Sequence, residues 1–332
     1  MEKLLTVIVP VFKVEKYINQ CLDSLVIHED EMAQMEVLVV NDGTPDSSAD
    51  IALTYEARFP GIFKVVDKEN GGHGSAWNVG VSLSSGRYLL FLDSDDYVEN
   101  LPRLVSCLKE TTADLVMTDK VEFHEGTSRE ETIRIEGIPP MHLFTLEDRS
   151  WSPKGHGVYY SHFHTCVYRK EVIGGFAPLF KEKSFYDDAI LSVAPLISAT
   201  TFIYLGFPVY HYRLGRPGQT MDRAVMMRNI DMQAMQRRYE IDFAEAHPVA
   251  PGPRKDLLDG ILSSACKSQC DMLFKVEGPE RMKLLSSRVS SVKSHFPEWK
   301  RVPEISLFGH LPYPVYRLVL KSRNALRKVI SF

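Results

Sequence analysis

The first 120 residues alternate short apolar runs with amphipathic segments in a regular order. Runs rich in β-branched residues predict strands at residues 4–9, 36–40, 63–66, 88–92 and 115–117. Between the runs, apolar residues recur at helical spacing in residues 14–25, 47–58, 75–84 and 101–111. Strands that alternate with helices form a mostly parallel sheet covered on both faces. The pattern therefore predicts an α/β fold, with a site in the loops at the carboxyl ends of the strands.

Individual residues indicate where several of these helices start and end. Residues 46–48 and Ser75 mark helix starts, and Gly86 marks a helix end. Beyond residue 120 the alternation loosens, and apolar runs at 164–168 and 201–205 predict two further strands. From residue 221 onward the sequence predicts helices, joined by the Pro- and Gly-rich residues 248–253.

Composition and length are those of a soluble globular protein. The chain has 332 residues, of which 44% are hydrophobic and 25% charged, enough for one large or two ordinary domains. The N-terminus does not resemble a signal peptide, and no apolar stretch approaches the roughly 20 residues that cross a bilayer. Five scattered cysteines are typical of a reduced compartment, and the spacing of Cys266 and Cys270 suits one helix face. We therefore expect a cytoplasmic protein.

Charge is distributed unevenly along the chain. The formal net charge is −4, yet residues 281–332 contain 11 Lys and Arg against 2 Asp and Glu. Within residues 314–332, apolar side chains recur at helical spacing and basic ones occupy much of the remaining surface. Two interpretations stay open: a terminal helix that packs on the acidic body, or a basic amphipathic helix that lies on an anionic membrane surface.

An acidic cluster follows the fourth predicted strand. Asp93, Asp95 and Asp96 come directly after the apolar residues 88–92, with Ser94 among them. Crowded carboxylates repel one another by about 1 kcal/mol or more per close pair, so the cluster favours a bound cation. Oxygen ligands suit Mg²⁺ or Mn²⁺, shared with a phosphate group. The alternative is a solvated acidic turn before a helix.

Two further groups follow strands two and three. Asp42, at the end of strand two, either accepts a hydrogen bond from a base edge or amine, or belongs to a plain Asp-Gly turn. Gly71, Gly72 and Gly74 precede a helix and predict backbone N–H groups directed at an anion. Their spacing and position differ from those of a dinucleotide-binding fingerprint.

Two candidate groups lie in the second half of the chain. Asp187 and Asp188 precede an apolar helical segment, either as acids that complement a helix dipole or with one of them as a general base. Arg213 and Arg216 flank a Gly-rich loop, where they either contact a diphosphate or acceptor or belong to an ordinary surface loop.

Taken in order, these motifs resemble those of family 2 inverting glycosyltransferases of GT-A fold, of the bacterial surface-polysaccharide type. The motifs are residues 7–12, 15–17, 21–25, 41–43, 78–80 and 92–96, with looser likeness at 186–188 and 210–213. The resemblance implies a Rossmann-like, mostly parallel central sheet flanked by helices. It implies a glycosyltransferase domain over residues 1–220, with a nucleotide-sugar half at about 1–120 and an acceptor half at about 121–220. A mainly helical C-terminal region with the basic tail follows at 221–332.

The resemblance also implies roles on the donor side. Pro10 and Val11 would line the nucleotide pocket, and Asp42 would bind the uracil or thymine ring. Asp93 and Ser94 match the start of the DXD motif, on the ribose side of the nucleotide. Asp95 would bind the metal, Mn or Mg.

On the acceptor side, the resemblance implies a pair of acids, of which Asp188 would be the base that deprotonates the acceptor hydroxyl. Asp187 stands where relatives carry Glu, and Trp77 where many carry Arg. His73 or Lys68 would then grip the nucleotide in place of that arginine.

The implied function is a metal-dependent transfer of a hexosyl or N-acetylhexosaminyl group from a nucleotide-diphosphate sugar, a UDP-sugar in our interpretation. The acceptor would be a hydroxyl of a glycan or lipid-linked glycan, at the inner face of the cell membrane if the tail binds there. No nucleic-acid partner is expected, and the C-terminal region could support an oligomer. The alternatives are a sugar nucleotidyltransferase and a non-catalytic nucleotide-sugar-binding subunit.

Overall fold

The computed structural model describes residues 3–148, 162–216, 218–220 and 223–275. The strands are β1 Lys3–Val11, β2 Met35–Asn41, β3 Phe63–Asp67, β4 Gly86–Phe91, β5 Tyr97–Val98, β6 Leu115–His124, β7 Glu130–Ile133, β8 Leu143–Thr145, β9 Cys166–Arg169 and β10 Thr201–Leu214. The helices are α1 Ile18–Asp23, α2 Glu29–Met32, α3 Ser48–Arg58, α4 His73–Leu83, α5 Leu101–Glu110, α6 Lys170–Gly174, α7 Ala194–Ser198, α8 Arg223–Arg228, α9 Ile230–Ala246 and α10 Pro253–Lys275. Two 3₁₀ helices span Phe163–Thr165 and Asp187–Ser192.

One sheet runs through the molecule in the order β3-β2-β1-β4-β9-β6-β10-β5, with β7 paired to β6 and β8 to β10. Strand β1 lies parallel to β2 and β4, and β2 lies parallel to β3. Strand β9 runs antiparallel to both β4 and β6, whereas β10 is parallel to β6. The α/β fold with a largely parallel sheet is confirmed. Its parallel half brings the carboxyl ends of β1, β2 and β4 to one edge.

Apolar patterning explains why these segments form these elements. Residues 5–11 of β1 are all buried, as expected for a strand covered on both faces. In α5 the buried residues are Leu101, Leu104, Val105 and Leu108, which form one helix face. Full burial of one such side chain contributes about 1.5–3 kcal/mol. The sheet and its helices thus share a continuous hydrophobic core.

Several predicted boundaries in the first half are wrong. Helix α1 begins at Ile18 rather than near residue 14, after a turn in which Lys13 has a φ of 56°. Helix α4 begins at His73, two residues before Ser75, because Gly72 turns the chain with a φ of 87°. Gly86 opens β4 instead of ending a helix, and a Cβ there would lie 2.5 Å from the backbone nitrogen of Thr6.

The second half differs more from the predicted pattern. The strand predicted at 164–168 is a 3₁₀ turn followed by β9, and the strand predicted at 201–205 continues to Leu214 as β10. Helices α8 to α10 follow, and residues 248–253 connect α9 to α10 as predicted. Ile241, Leu258 and Ile261 belong to the main core, so these helices pack on the body.

The predicted domain boundary at residue 220 stays a prediction. Cys266 and Cys270 fall within α10, as the helical interpretation of their spacing requires. The basic segment 281–332 and any oligomer contact through it lie outside the described residues. In the described part of the chain, no helix is both long and apolar enough to cross a bilayer.

Candidate active site

A cleft of about 540 Å³ opens at the carboxyl edge of β1, β2 and β4. Its walls combine residues from the first 100 positions with residues from 162–220. Of the residues predicted from the sequence, all but Lys68 and Arg213 line it: Pro10, Val11, Asp42, His73, Asp93, Ser94, Asp95, Asp187, Asp188 and Arg216. The fold therefore assembles one cavity from segments that are far apart in sequence.

Asp42 lies immediately after β2 and is 3% exposed. Its Oδ1 accepts hydrogen bonds from Lys68 Nζ at 2.6 Å and the Gly71 N–H at 2.8 Å, and its Oδ2 accepts one from the Gly72 N–H at 2.8 Å. The N–H groups of Gly71 and Gly72 thus do face an anion, but it is the protein's own Asp42 carboxylate. Lys68 forms an ion pair with Asp42 and does not line the cleft. A carboxylate has about four acceptor positions, so one on Oδ2 remains.

Hydrogen bonds from β10 hold the acidic loop after β4 in place. Asp96, 1% exposed, accepts hydrogen bonds from the Tyr210 hydroxyl at 2.8 Å and the Arg213 N–H at 2.7 Å. Burial raises the pKa of Asp96 well above its usual range, and the charges of Asp95 and Asp93 add to the shift. The side chain of Asp93 is 25% exposed and faces the cleft.

Arg213 lies beneath this loop rather than in the cleft. Its Nε donates to the Asp95 carbonyl at 2.8 Å and one terminal nitrogen donates to Gln20 Oε1 at 2.6 Å. The guanidinium also lies 4.9 Å from the Tyr17 ring and 4.7 Å from the Phe123 ring. The predicted contact between Arg213 and a diphosphate or acceptor does not fit this buried position. Its side chain instead supports the loop.

The side chain predicted to bind a metal already has a partner. Arg216 Nε lies 2.8 Å from Asp95 Oδ2, and both residues line the cleft. Burial raises the pKa of Asp95, the charge of Asp93 raises it further, and Arg216 opposes the shift. The ion pair engages one of the two carboxylate oxygens of Asp95 and offsets its charge.

His73 bridges the two acidic groups of the cleft. Its Nε2 lies 3.0 Å from Asp93 Oδ1, and its Nδ1 lies 3.2 Å from Asp187 Oδ1. Burial lowers the pKa of His73, but the carboxylates of Asp187 and Asp93 outweigh it and hold the pKa well above its usual value. A histidine predicted to grip the nucleotide therefore links the donor-side acid to the acid pair.

Asp188 has a raised pKa at a position on the cleft wall. It lines the cleft, and its Oδ2 lies 3.6 Å from His162 Nε2. Burial raises the pKa of Asp188 to about 7, and the negative charge of Asp187 contributes in the same direction. General bases are most effective when their pKa lies near the working pH. Asp187 itself is 3% exposed and bound to His73.

Trp77 is a core residue. It is fully buried, with ring centroids 4.8 Å from Phe91 and 5.0 Å from both Phe163 and Phe180. Its indole also packs against the His73 ring at 4.1 Å. At the position where many relatives carry Arg, this chain therefore has an apolar support for His73.

Sequence reasoning missed two histidines on the cleft wall, His162 and His164. His164 is 6% exposed, and no residue in the described part of the chain makes a hydrogen bond to either of its ring nitrogens. Burial lowers the pKa of His164 well below its usual value, helped by nearby His162 and Lys120, so the ring is neutral. The signal that could have found them is the His-Phe-His alternation at residues 162–164, one residue before the apolar residues 166–168.

His164 belongs to a group suited to a divalent ion. One ligand atom each from Asp93, Asp96 and His164 lie within 4.8 Å of one another. Carboxylate oxygens and a neutral imidazole nitrogen are common ligands of first-row transition metals. The residues present therefore fit the metal that the sequence predicts, although Asp95 is not one of the three.

The family model described as "Glycosyl transferase family 2" matches residues 6–175, about half of the chain. The chain belongs to this family. The resemblance stated from the motifs is thereby confirmed. The matched residues contain most of β1 and all of β2 to β9.

Two proteins of Bacillus subtilis are similar to this chain. It is 39% identical over 118 residues to the uncharacterised glycosyltransferase EpsJ of Bacillus subtilis, covering 35% of this chain and 33% of EpsJ. It is 31% identical over 219 residues to the putative glycosyltransferase EpsH of the same organism, covering 63% of this chain and 60% of EpsH. The chain thus spans about a third to three fifths of these relatives.

A third relative is known both by sequence and by structure. The poly(ribitol-phosphate) β-N-acetylglucosaminyltransferase TarS of Staphylococcus aureus is 26% identical over 222 residues, 66% of this chain and 37% of TarS. The crystal structure of TarS 1–349 with UDP-GlcNAc superimposes with a TM-score of 0.67 at 21% identity, over 89% of this chain and 82% of that one. This likeness shows the GT-A fold.

Proposed function

We propose that this protein is an inverting glycosyltransferase that moves a sugar from a nucleotide-diphosphate donor to a hydroxyl of a glycan or glycolipid acceptor. The observation that carries the proposal is the single cleft in which Asp42, the acidic loop and Asp188 meet. Family membership supports the reaction class. The UDP-GlcNAc complex of TarS supports a UDP-sugar as donor, with a hexosyl or N-acetylhexosaminyl group as the unit transferred.

On the donor side, Pro10 and Val11 supply an apolar wall for the base. The acceptor position that remains on Asp42 Oδ2 can receive the N–H of a uracil ring. Asp93 and Ser94 face the ribose and diphosphate from the end of β4. A divalent ion, when bound, would offset the charge that develops on the leaving diphosphate.

On the acceptor side, Asp188 takes the proton of the attacking hydroxyl. The hydroxyl oxygen forms a bond to the anomeric carbon while the bond from that carbon to the diphosphate breaks. The electron pair of the broken bond leaves with the nucleotide diphosphate. Attack from the face opposite the leaving group inverts the anomeric carbon in one displacement.

The product is a cell-surface glycan in this proposal, because TarS is named for a polymer acceptor and the motifs resemble those of surface-polysaccharide enzymes. Such an acceptor, if linked to lipid, would bring the enzyme to the inner face of the membrane.

A nucleotide-sugar panel with Mn²⁺ tests the proposal through release of nucleotide diphosphate, with and without added glycan acceptors. We expect release from UDP-sugars that rises with a suitable acceptor, falls in EDTA, and is nearly absent in Asp188→Asn. A nucleotidyltransferase would instead consume a nucleoside triphosphate and release pyrophosphate. A non-catalytic binding subunit would bind UDP without any release, and either result would contradict the proposal.

A further inference from the structure

We propose that His164 is a metal ligand, and that it binds a transition-metal ion together with carboxylate oxygens of Asp93 and Asp96. The inference deepens the proposed function, because the ion would lie at the donor diphosphate. The proposed ligands differ from those predicted by the sequence motif, in which Asp95 binds the metal. It also makes Mn²⁺ the preferred ion over Mg²⁺.

The geometry of the three residues carries the first step. Their ligand atoms lie within 4.8 Å of one another; Asp93 and His164 line the cleft, and Asp96 is buried behind them. Atoms that share one ion at about 2.0–2.2 Å from it are separated by about 3 to 4.4 Å. Only a small contraction is therefore needed, and the exposed fraction of Asp93 leaves room for that movement.

The unpaired state of His164 carries the second step. The side chain is 6% exposed, and among the described residues neither ring nitrogen has a hydrogen-bond partner. A buried polar group without a partner costs about 1–3 kcal/mol, so such groups are rare in native proteins unless a ligand completes them. Packing holds the ring in place, since it stacks on Tyr212 with centroids 4.4 Å apart and lies 4.5 Å from Tyr210.

The partners of the acids carry the third step. Asp95 Oδ2 is paired with Arg216 at 2.8 Å, which offsets its charge. Asp93 is paired with His73 through Oδ1 at 3.0 Å, so an ion would bind its other oxygen, Oδ2. Among the described residues, Asp96 accepts one donor on each carboxylate oxygen, from Tyr210 and the Arg213 backbone, so each oxygen keeps an acceptor position. No side-chain cation is paired with Asp96 among the described residues.

The ligand set determines the preferred ion. Mg²⁺ takes oxygen ligands almost exclusively and gives up its water reluctantly, whereas imidazole nitrogen suits transition metals. Two carboxylates and one imidazole therefore favour Mn²⁺ over Mg²⁺, with the diphosphate oxygens of the donor completing the coordination.

The test measures metal binding directly, without donor sugar or acceptor, so it is independent of sugar transfer. The full chain is stripped with chelator, and Mn²⁺ is titrated in the presence of UDP while electron paramagnetic resonance reports the free ion. Pulsed measurements on the bound ion then detect a directly bound nitrogen. We expect ¹⁴N coupling in the natural chain, and its replacement by ¹⁵N coupling when only histidine is ¹⁵N-labelled.

Variants identify which histidine is bound. His164→Gln should lose the nitrogen coupling and weaken Mn²⁺ binding at least about tenfold, with a smaller effect on Mg²⁺. The matched control His162→Gln, two residues away on the same cleft wall, should keep the coupling. Asp95→Asn should keep the coupling and an Mn²⁺ affinity within about threefold of the natural chain, since loss of a metal ligand costs more than that.

Three results would overturn the inference. The first is bound Mn²⁺ without nitrogen coupling in the natural chain, a result that depends on no variant folding correctly. The second is a folded His164→Gln protein, verified by circular dichroism, that keeps both coupling and affinity. The third is a loss of Mn²⁺ affinity in Asp95→Asn as large as that in Asp93→Asn. Sugar transfer could still occur in each case, so failure here leaves the proposed function to its own test.

Discussion

Asp188 is partly buried and lines the cleft, and its protonation should control the reaction rate. A base must be ionised to accept a proton, and an acid whose pKa is about 7 is ionised only above that pH. We therefore expect kcat/KM to rise about tenfold per pH unit below pH 7 and to level off above it. Because the Asp187 charge helps to raise this pKa, Asp187→Asn should move the midpoint to lower pH. A pH profile that is flat from 5 to 8 would contradict the assignment.

The two acids of this pair should also differ in how they respond to substitution. Asp188→Asn should lower kcat by about 10²- to 10⁴-fold and leave UDP affinity nearly unchanged, because a general base acts in the transition state. Steady-state kinetics and calorimetric titration of UDP measure the two quantities. If Asp187→Asn costs far more in kcat than Asp188→Asn, the roles are reversed.

At the scale of elements, the close approach of α4 to β1 depends on Gly80. An added Cβ at Gly80 would meet the Ile8 side chain, including its Cγ1 at 3.1 Å, and Ile8 is fully buried with no room to move. Gly80→Ala should therefore destabilise the fold by about 1–3 kcal/mol despite the better helix propensity of Ala. Urea unfolding measures the change.

Gly260 in α10 is the matched control for this substitution. It is also a helical glycine, yet no described residue would lie within 4 Å of a Cβ added there. Gly260→Ala should stabilise the protein by about 0.5–1 kcal/mol, because only the propensity gain remains. Equal effects at the two positions would show that helix packing against β1 is looser than described.

The same helix should show how much the aromatic cluster contributes. Trp77 is fully buried among Phe91, Phe163 and Phe180, so Trp77→Ala should lower the free energy of unfolding by about 3–5 kcal/mol. Leu83→Ala, at an exposed position of α4, should change it by less than about 1 kcal/mol. Comparable losses in the two variants would argue against the described packing of Trp77.

At the scale of the whole molecule, the open question raised by the sequence is the role of the basic tail, which lies outside the described residues. We expect the full chain to co-sediment with anionic vesicles at low salt and a chain ending at Leu311 to stay in solution. Each basic residue near such a surface contributes on the order of 1 kcal/mol, and salt screens the attraction. If both chains bind equally, the contact lies elsewhere. If neither binds and the shorter chain is less stable, the tail packs on the body.

Local patterns in the sequence were sufficient for most of the parallel half of the fold. Apolar runs such as residues 36–40 and 88–92 predict strands because each residue's burial follows from the period of its own segment. The position of the cleft also followed, since parallel strands bring their carboxyl ends to one edge. Boundaries were less accurate at single glycines. Gly86 was predicted to end a helix but opens β4, and only its contact with Thr6 shows that it is a strand residue.

The partners of the polar atoms depended on tertiary structure. Nothing local to Asp42 indicates that its carboxylate binds Lys68 and the N–H groups of Gly71 and Gly72, about 26 to 30 residues away. Likewise, β9 must pair with β4 before His164 can lie beside Asp93. The sequence thus specifies where apolar segments and strand-end acids occur, since those depend on neighbouring residues in the chain. Which acid is paired, bridged or left free for a ligand depends on contacts between distant segments, and only packing determines those.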